Sequence, residues 1–113
     1  MAMLTADKLR EFGADVDAGL TRCMNNEAFY ITLVGKVIAD NRLDLLRQQL
    51  ADHQLDAAFE TAHALKGMYS NLSLDPLTKP VSEMTELLRG RKDVDYSAYL
   101  NEAKAQFEAL CAL

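Results

Sequence analysis

The segment ETAHALKGMYSNL, residues 60–72, carries His63, one of only two histidines in the chain, and follows it with Ala-Leu-Lys-Gly. Around it Phe59, Ala62, Leu65, Tyr69 and Leu72 recur at three- and four-residue steps, the period of a helix with one apolar face. Successive helical residues turn through about 100°, which sets His63 well outside the apolar seam. Lys66 then falls about 60° to one side of it, Gly67 about 40° to the other, and Ser70 within about 20° further along. These four residues share one solvent-facing patch, with Leu65 pointing nearly opposite.

Such a patch supports a specific chemistry. Imidazole is a competent nucleophile near neutral pH, because much of it is uncharged while still basic. A phosphoryl group taken by its nitrogen brings about two negative charges. A lysine one turn away balances that charge without imposing a fixed bidentate geometry. A mid-helix glycine costs about 1 kcal/mol relative to alanine, yet Gly67 also removes a side chain, so that a second backbone can reach contact distance. Neutral imidazole attacks directly and needs no general base. The chain has no GxxxxGK[ST] loop, no Gly-rich strand-to-helix turn and no carboxylate pair for magnesium. The phosphoryl group and the metal that activates it are expected to come with another protein.

The bulk properties narrow the setting. One domain is the expectation for 113 residues, enough chain to bury a core without staples. A net charge of −5 leaves no basic face to release counterions, so nucleic-acid binding is not expected. Cys23 and Cys111 lie far apart and outside any CxxC pair, which disfavours both a disulfide and a zinc site; they read as small hydrophobes in a reducing compartment. His53 lies near a helix junction without a Lys-Gly companion and reads as a surface or capping residue, so no metal site is expected. Met1, Met3, Met24, Met68 and Met84 read as core or termini. The N-terminus is charged from Asp7 onward and lacks a signal-peptide core, and no run approaches the roughly 20 apolar residues of a membrane span. A cytoplasmic protein without membrane insertion is the expectation.

The elements that must position His63 are all helical. Thr5 as N-cap and Gly13 as stop frame a short helix over 5–12 carrying Leu9 and Phe12, and a second short turn covers 15–23. Asn26 caps a helix over 27–40 whose Phe29, Tyr30, Leu33, Val34, Val37 and Ile38 cover so wide an arc that burial on several sides is expected. A stretch over 43–52 puts Leu43, Leu46 and Leu50 on one stripe. The His63 helix spans 54–73 with a heptad-like seam suited to a bundle. Asp75-Pro76 reads as N-cap and first turn of the next helix. Pro80 leaves two readings: that helix begins near Lys79, or it begins at Pro76 and bends. Leu77, Val81, Met84 and Leu88 favour the continuous version, closed by Gly90. After RKDVD a last helix covers 96–112 with Tyr96, Leu100, Ala103, Phe107 and Leu110 at seam spacing. Short connections favour antiparallel neighbours, so the expected fold is an all-α antiparallel four-helix bundle with short N-terminal capping helices. The expected division is one domain over 1–113, with the caps in 1–25 and the bundle in 26–113.

The string AHALKG resembles the HxLKG signature of histidine-containing phosphotransfer (HPt) domains, the intermediate carriers of two-component phosphorelays. Upstream, AGLTRCMNNEAFYITLVGKVI is similar to the family's Gly-Leu, acidic and aromatic approach to its second helix. Downstream, SNLSLDPLTKPVSEMTELLRGR resembles the family's Asn-Leu-Gly-x-x-x-Leu run and a helix ending in Arg, so the resemblance covers residues 18–113. The resemblance implies that His63 is the phosphoacceptor on an exposed bundle face, Lys66 the charge-compensating neighbour and Gly67 the clearance residue. It implies a second cation at Arg89 and a partner-facing surface that includes Met68 and Ser70. Met68 and Tyr69 stand where small residues are common, and Ser73 where Gly is frequent, which bears on partner choice. The implied partners are receiver domains, with a hybrid histidine kinase a further candidate; the implied cofactor is Mg²⁺ on the receiver and none in this chain, which is expected to be a monomer. The competing expectation is a helical adaptor or inhibitor that keeps the bundle, binds a receiver or kinase, and transfers no phosphate.

Overall fold

Three helix starts follow directly from side chains that accept from otherwise unpaired backbone N–H groups. Thr5 accepts from Lys8 N at 3.2 Å, Asp15 from Ala18 N at 3.2 Å and Asn26 from Phe29 N at 3.1 Å. They open α1 (Ala6–Phe12), α2 (Val16–Arg22) and α3 (Glu27–Ala39). The computed structural model describes residues 4–113, so Met1 and Met3 lie outside the described residues. The chain continues through α4 (Arg42–Ala51), α5 (Leu55–Asn71), α6 (Asp75–Arg89) and α7 (Ser97–Cys111), and no strand occurs among the described residues.

The last four helices pack antiparallel in chain order, α4 on α5, α5 on α6 and α6 on α7. Their facing stripes build the core: Leu46, Leu65, Leu77, Met84 and Leu110 are all fully buried. Short turns force each helix to reverse onto the one before it. The small residues Ala58, Ala62 and Ala103, also without exposed surface, let the helices approach closely. The all-α antiparallel bundle expected from the periodicity is the fold observed.

The helices α1 and α2 cap one end of this bundle, at the α5–α6 turn. Asp15 N donates to Ser73 O at 2.9 Å, the Arg22 guanidinium donates to Ser70 O at 3.0 Å, and Tyr30 Oη donates to Leu72 O at 2.8 Å. These bonds satisfy carbonyls that a helix end leaves without intrahelical partners.

Several expectations are corrected. The cap of α6 is Leu74, and Asp75 is its first helical residue, without a side-chain cap bond. Ser73 adopts a left-handed backbone, φ 54°, and this tight turn brings the fully buried Leu74 into the cap position one residue early. The helix is continuous through Pro80; the donor it lacks is lost once, near the helix start, while its ring is buried. Gly90 does close α6, but Arg91 takes the left-handed φ of 55°. Burial of α3 on several sides is not found. Only Tyr30, Val34 and Val37 are buried on it, and Phe29 is 49% exposed, because α3 packs at the edge of the bundle. Cys111 is exposed, unlike the buried Cys23, and both are free.

Burial pushes the Tyr30 phenol from its ordinary 10.0 up to about 12, and raises that of Tyr69 for the same reason. The folded protein thus holds these protons more tightly than the unfolded chain, so their stabilisation is complete below pH 10, and that of Tyr30 is lost as the pH rises through about 12. Urea-unfolding midpoints measured between neutral pH and that limit should fall steeply on the alkaline side. Tyr30→Phe should cost about 1–2 kcal/mol at neutral pH, because the buried Leu72 carbonyl loses its donor. It should also shrink the alkaline loss.

Candidate functional site

The rotational setting of α5 decides what its outer face presents. Ala58, Ala62 and Leu65 are 0% exposed and Tyr69 1%, so the opposite arc with His63 and Gly67 faces solvent. Neither ring nitrogen of His63 has a hydrogen-bond partner among the described residues. The imidazole instead stacks on Phe59 one turn earlier, with centroids 5.6 Å apart and planes 7° from parallel. Stacking at i, i+4 restricts the ring's rotation while leaving its nitrogens accessible.

The cations come from two helices. Lys66, on α5, reaches α6, where its Nζ lies 3.5 Å from Glu86 Oε1. Arg89, one turn beyond Glu86, lies 3.3 Å from the other carboxylate oxygen through its Nε. The guanidinium carbon of Arg89 also stands 5.2 Å from the centroid of the Phe59 ring, within cation–π range. Arg89, first, and then Lys66 hold the Glu86 carboxyl below the usual carboxylate range, so it is charged at neutral pH.

Ser70 and Met68 have other engagements. Ser70 Oγ donates to the Lys66 carbonyl at 2.7 Å, a bond back to its own helix. Met68 lies about 140° round the helix from His63, half-buried against the core, and its sulfur accepts from Arg42 at 3.3 Å. The structure therefore gathers His63, Lys66, Gly67 and Arg89 on one side and sets Met68 on another. Phe59 and Glu86 join the group without having been singled out in the sequence. Phe59 had a signal, an aromatic residue one turn before the histidine, but its place in the apolar period hid it. Glu86 had none, because only the packing of α6 on α5 brings it to Lys66.

Gly67 has open space beside it: no heavy atom beyond its own turn and neighbours lies within 4 Å of where a Cβ would stand. Gly35 on α3 is equally open, but only Gly67 stands one turn from a histidine. Nothing among the described residues requires the glycine. The contrast is Gly19, whose Cβ would stand 2.5 Å from Tyr30 Cε1 and 2.9 Å from Leu72 O. The surface around His63 is a helix face, whereas concavities open elsewhere. One of about 410 Å³ lies between Leu50, His53 and Tyr96, at the contact of His53 Nδ1 with Asp93 at 3.0 Å. His53, with φ 54°, is a surface residue ending α4, as expected. Among the described residues no group of three or more His, Cys, Asp or Glu could hold a metal ion.

A family model for the Hpt domain matches residues 38–113, which takes in the whole patch. The chain belongs to the Hpt family. The searches of curated proteins and of solved structures found no match. Hpt domains perform histidine phosphotransfer in two-component signalling, as phosphocarriers and not as enzymes with nucleotide sites, in concert with receiver domains and kinases. The Hpt match leaves α1, α2 and nearly all of α3 outside it, so the similarity read over residues 18–37 lies beyond its limits. No helix of the described residues is long and apolar enough to cross a membrane.

If Gly67 serves only what lies outside the chain, Gly67→Ala should stabilise the protein by up to about 1 kcal/mol through helix propensity alone. Gly19→Ala should destabilise it through the clash with Tyr30 and the α5–α6 turn. Thermal unfolding of the two variants should therefore move Tm in opposite directions, by a few degrees each.

Proposed function

We propose that this Hpt domain carries a phosphoryl group on His63 between receiver domains of a phosphorelay. The observation that supports this reading best is an exposed, unbonded imidazole with Lys66 and Arg89 nearby and an uncovered glycine at its side. An open helix face cannot enclose a small phosphodonor. It suits a second protein that brings the phosphoryl group already activated.

The reaction is a reversible in-line transfer. A receiver docks over α5 with its phospho-aspartate opposite a neutral ring nitrogen of His63. The nitrogen lone pair forms the N–P bond as the acyl P–O bond breaks, and the aspartate carboxylate leaves with that electron pair. Mg²⁺ held by the receiver neutralises the transferring oxygens, and this chain supplies no cofactor of its own. The stack on Phe59 orients the imidazole, so less freedom is lost on reaching the reactive geometry. Lys66, with Arg89 as second cation, balances the charge of the phosphohistidine. Gly67 leaves room for the receiver's backbone, and Ser70 borders the docking surface. The carrier acts as a cytoplasmic monomer.

Incubation with phosphorylated receivers should yield an acid-labile, base-stable phosphate that is lost in His63→Gln. Gly67→Glu should abolish transfer while leaving helical content and Tm within a few degrees of wild type, since its side chain points into open space. Absence of transfer from every receiver of the source organism would overturn the carrier reading in favour of a non-transferring adaptor. Normal transfer in Gly67→Glu would overturn the clearance role.

A further inference from the structure

Two cations beside His63, Lys66 on α5 and Arg89 on α6, share one carboxylate, which touches both. Glu86 Oε1 faces Lys66 Nζ at 3.5 Å and Glu86 Oε2 faces Arg89 Nε at 3.3 Å. Arg89 in turn lies over the ring of Phe59, on which His63 stacks. In the unmodified protein, therefore, the charges that a phosphoryl group on His63 would attract are already partly satisfied from α6.

We propose that Glu86 is an internal counter-ion that holds Lys66 and Arg89 while His63 is free, competes with the phosphoryl group for them, and so keeps phospho-His63 a ready donor. The inference rests on the carrier reading and assigns Glu86 as a positioning residue, acting through the two cations. A doubly charged phosphoryl group outcompetes a single carboxylate, but must draw Lys66 and Arg89 away from it. The phosphohistidine is therefore less stabilised than two free cations would make it, and the return transfer to a receiver aspartate is correspondingly easier. Glu86 is 57% exposed, so it can turn outward once released. Its effect is bounded by what exposed ion pairs deliver, a change of about two- to tenfold in an equilibrium.

The test loads His63 from a phosphorylated receiver, removes the receiver, and follows wild type, Glu86→Gln, Glu86→Asp and Glu83→Gln. Glu83 is exposed on the same helix and has no ion pair with either cation, so its variant controls for the loss of one negative charge. Glu86→Gln should lengthen the half-life of phospho-His63 about two- to tenfold. It should also lower the second pKa of the phosphoryl group in a ³¹P titration, because its dianion gains both cations. Glu86→Asp should lie near wild type and Glu83→Gln should match it. Lys66→Met should shrink the effect of Glu86→Gln, and added salt should do the same. If His63 takes no phosphate that His63→Gln abolishes, the carrier reading and this inference fall together. If His63 is loaded but Glu86→Gln changes neither lifetime nor titration, or only as much as Glu83→Gln does, the counter-ion role alone is overturned.

Discussion

The angle at which α5 sits in the bundle is the constraint on which everything at His63 depends. Leu65 and Tyr69 are buried on the seam, and Ala58 and Ala62 let α4 and α6 close upon it. Burial of each large apolar side chain is worth about 1.5–3 kcal/mol. The contacts on the outer face are of another order: exposed ion pairs such as Lys66–Glu86 contribute at most about 1 kcal/mol. Turning α5 by one residue would rotate it about 100° and expose part of the seam. The apolar side therefore sets the angle, and the polar patch is carried along by it. Phe59 sits at the margin between the two, half-buried, with its ring against His63. It passes the order of the core on to the imidazole.

The α5–α6 turn fixes where Glu86 and Arg89 meet α5, and it does so at some local strain. Leu74 N bonds to Tyr69 O at 3.0 Å and Ser73 N to Ser70 O at 3.0 Å, the paired bonds of a helix end closed by a left-handed residue. That residue is Ser73, and a side chain in this conformation costs about 1–2 kcal/mol. The same six-to-one bond closes α1 at Gly13, α4 at His53 and α6 at Arg91. At Ser73 the strain is offset by the bonds from Asp15 and Arg22, and Tyr30 secures the adjoining Leu72 carbonyl. The N-terminal helices thus hold the one turn that sets the register of α6 on α5.

Much of this was legible from the chain because it is local. Thr5, Gly13 and Asn26 mark helix ends through bonds to residues within one turn, and the observed helices end within two residues of the expected limits. The face of His63, Lys66 and Gly67 follows from the period of a single helix. What stayed hidden depends on more than one element. Leu74 in place of Asp75 as the α6 cap depends on the left-handed Ser73, whose side chain gives no sign of that conformation. The exposure of α3 depends on the number of neighbours, which hydrophobicity does not report. The meeting of Lys66 with Glu86 depends on how the side chains between α5 and α6 fill space, and no spacing within one helix encodes that.

The balance of charge at the patch links these features to its proposed chemistry. With neutral imidazole, Lys66, Arg89 and Glu86 together carry one net positive charge, in a chain whose total is −5. A phosphoryl group on His63 would reverse the local sign to about one negative charge. Because the face is open, water screens both states, and neither local charge can be very stabilising. That favours a carrier over a store: a buried, fully paired phosphate would be held too firmly to give back. The same openness leaves the chain unable to exclude water from the transfer step, so the low-dielectric surroundings that speed it must form when a partner covers α5. Gly67 lies open on that face, beside an exposed imidazole whose nitrogens have no hydrogen-bond partner among the described residues.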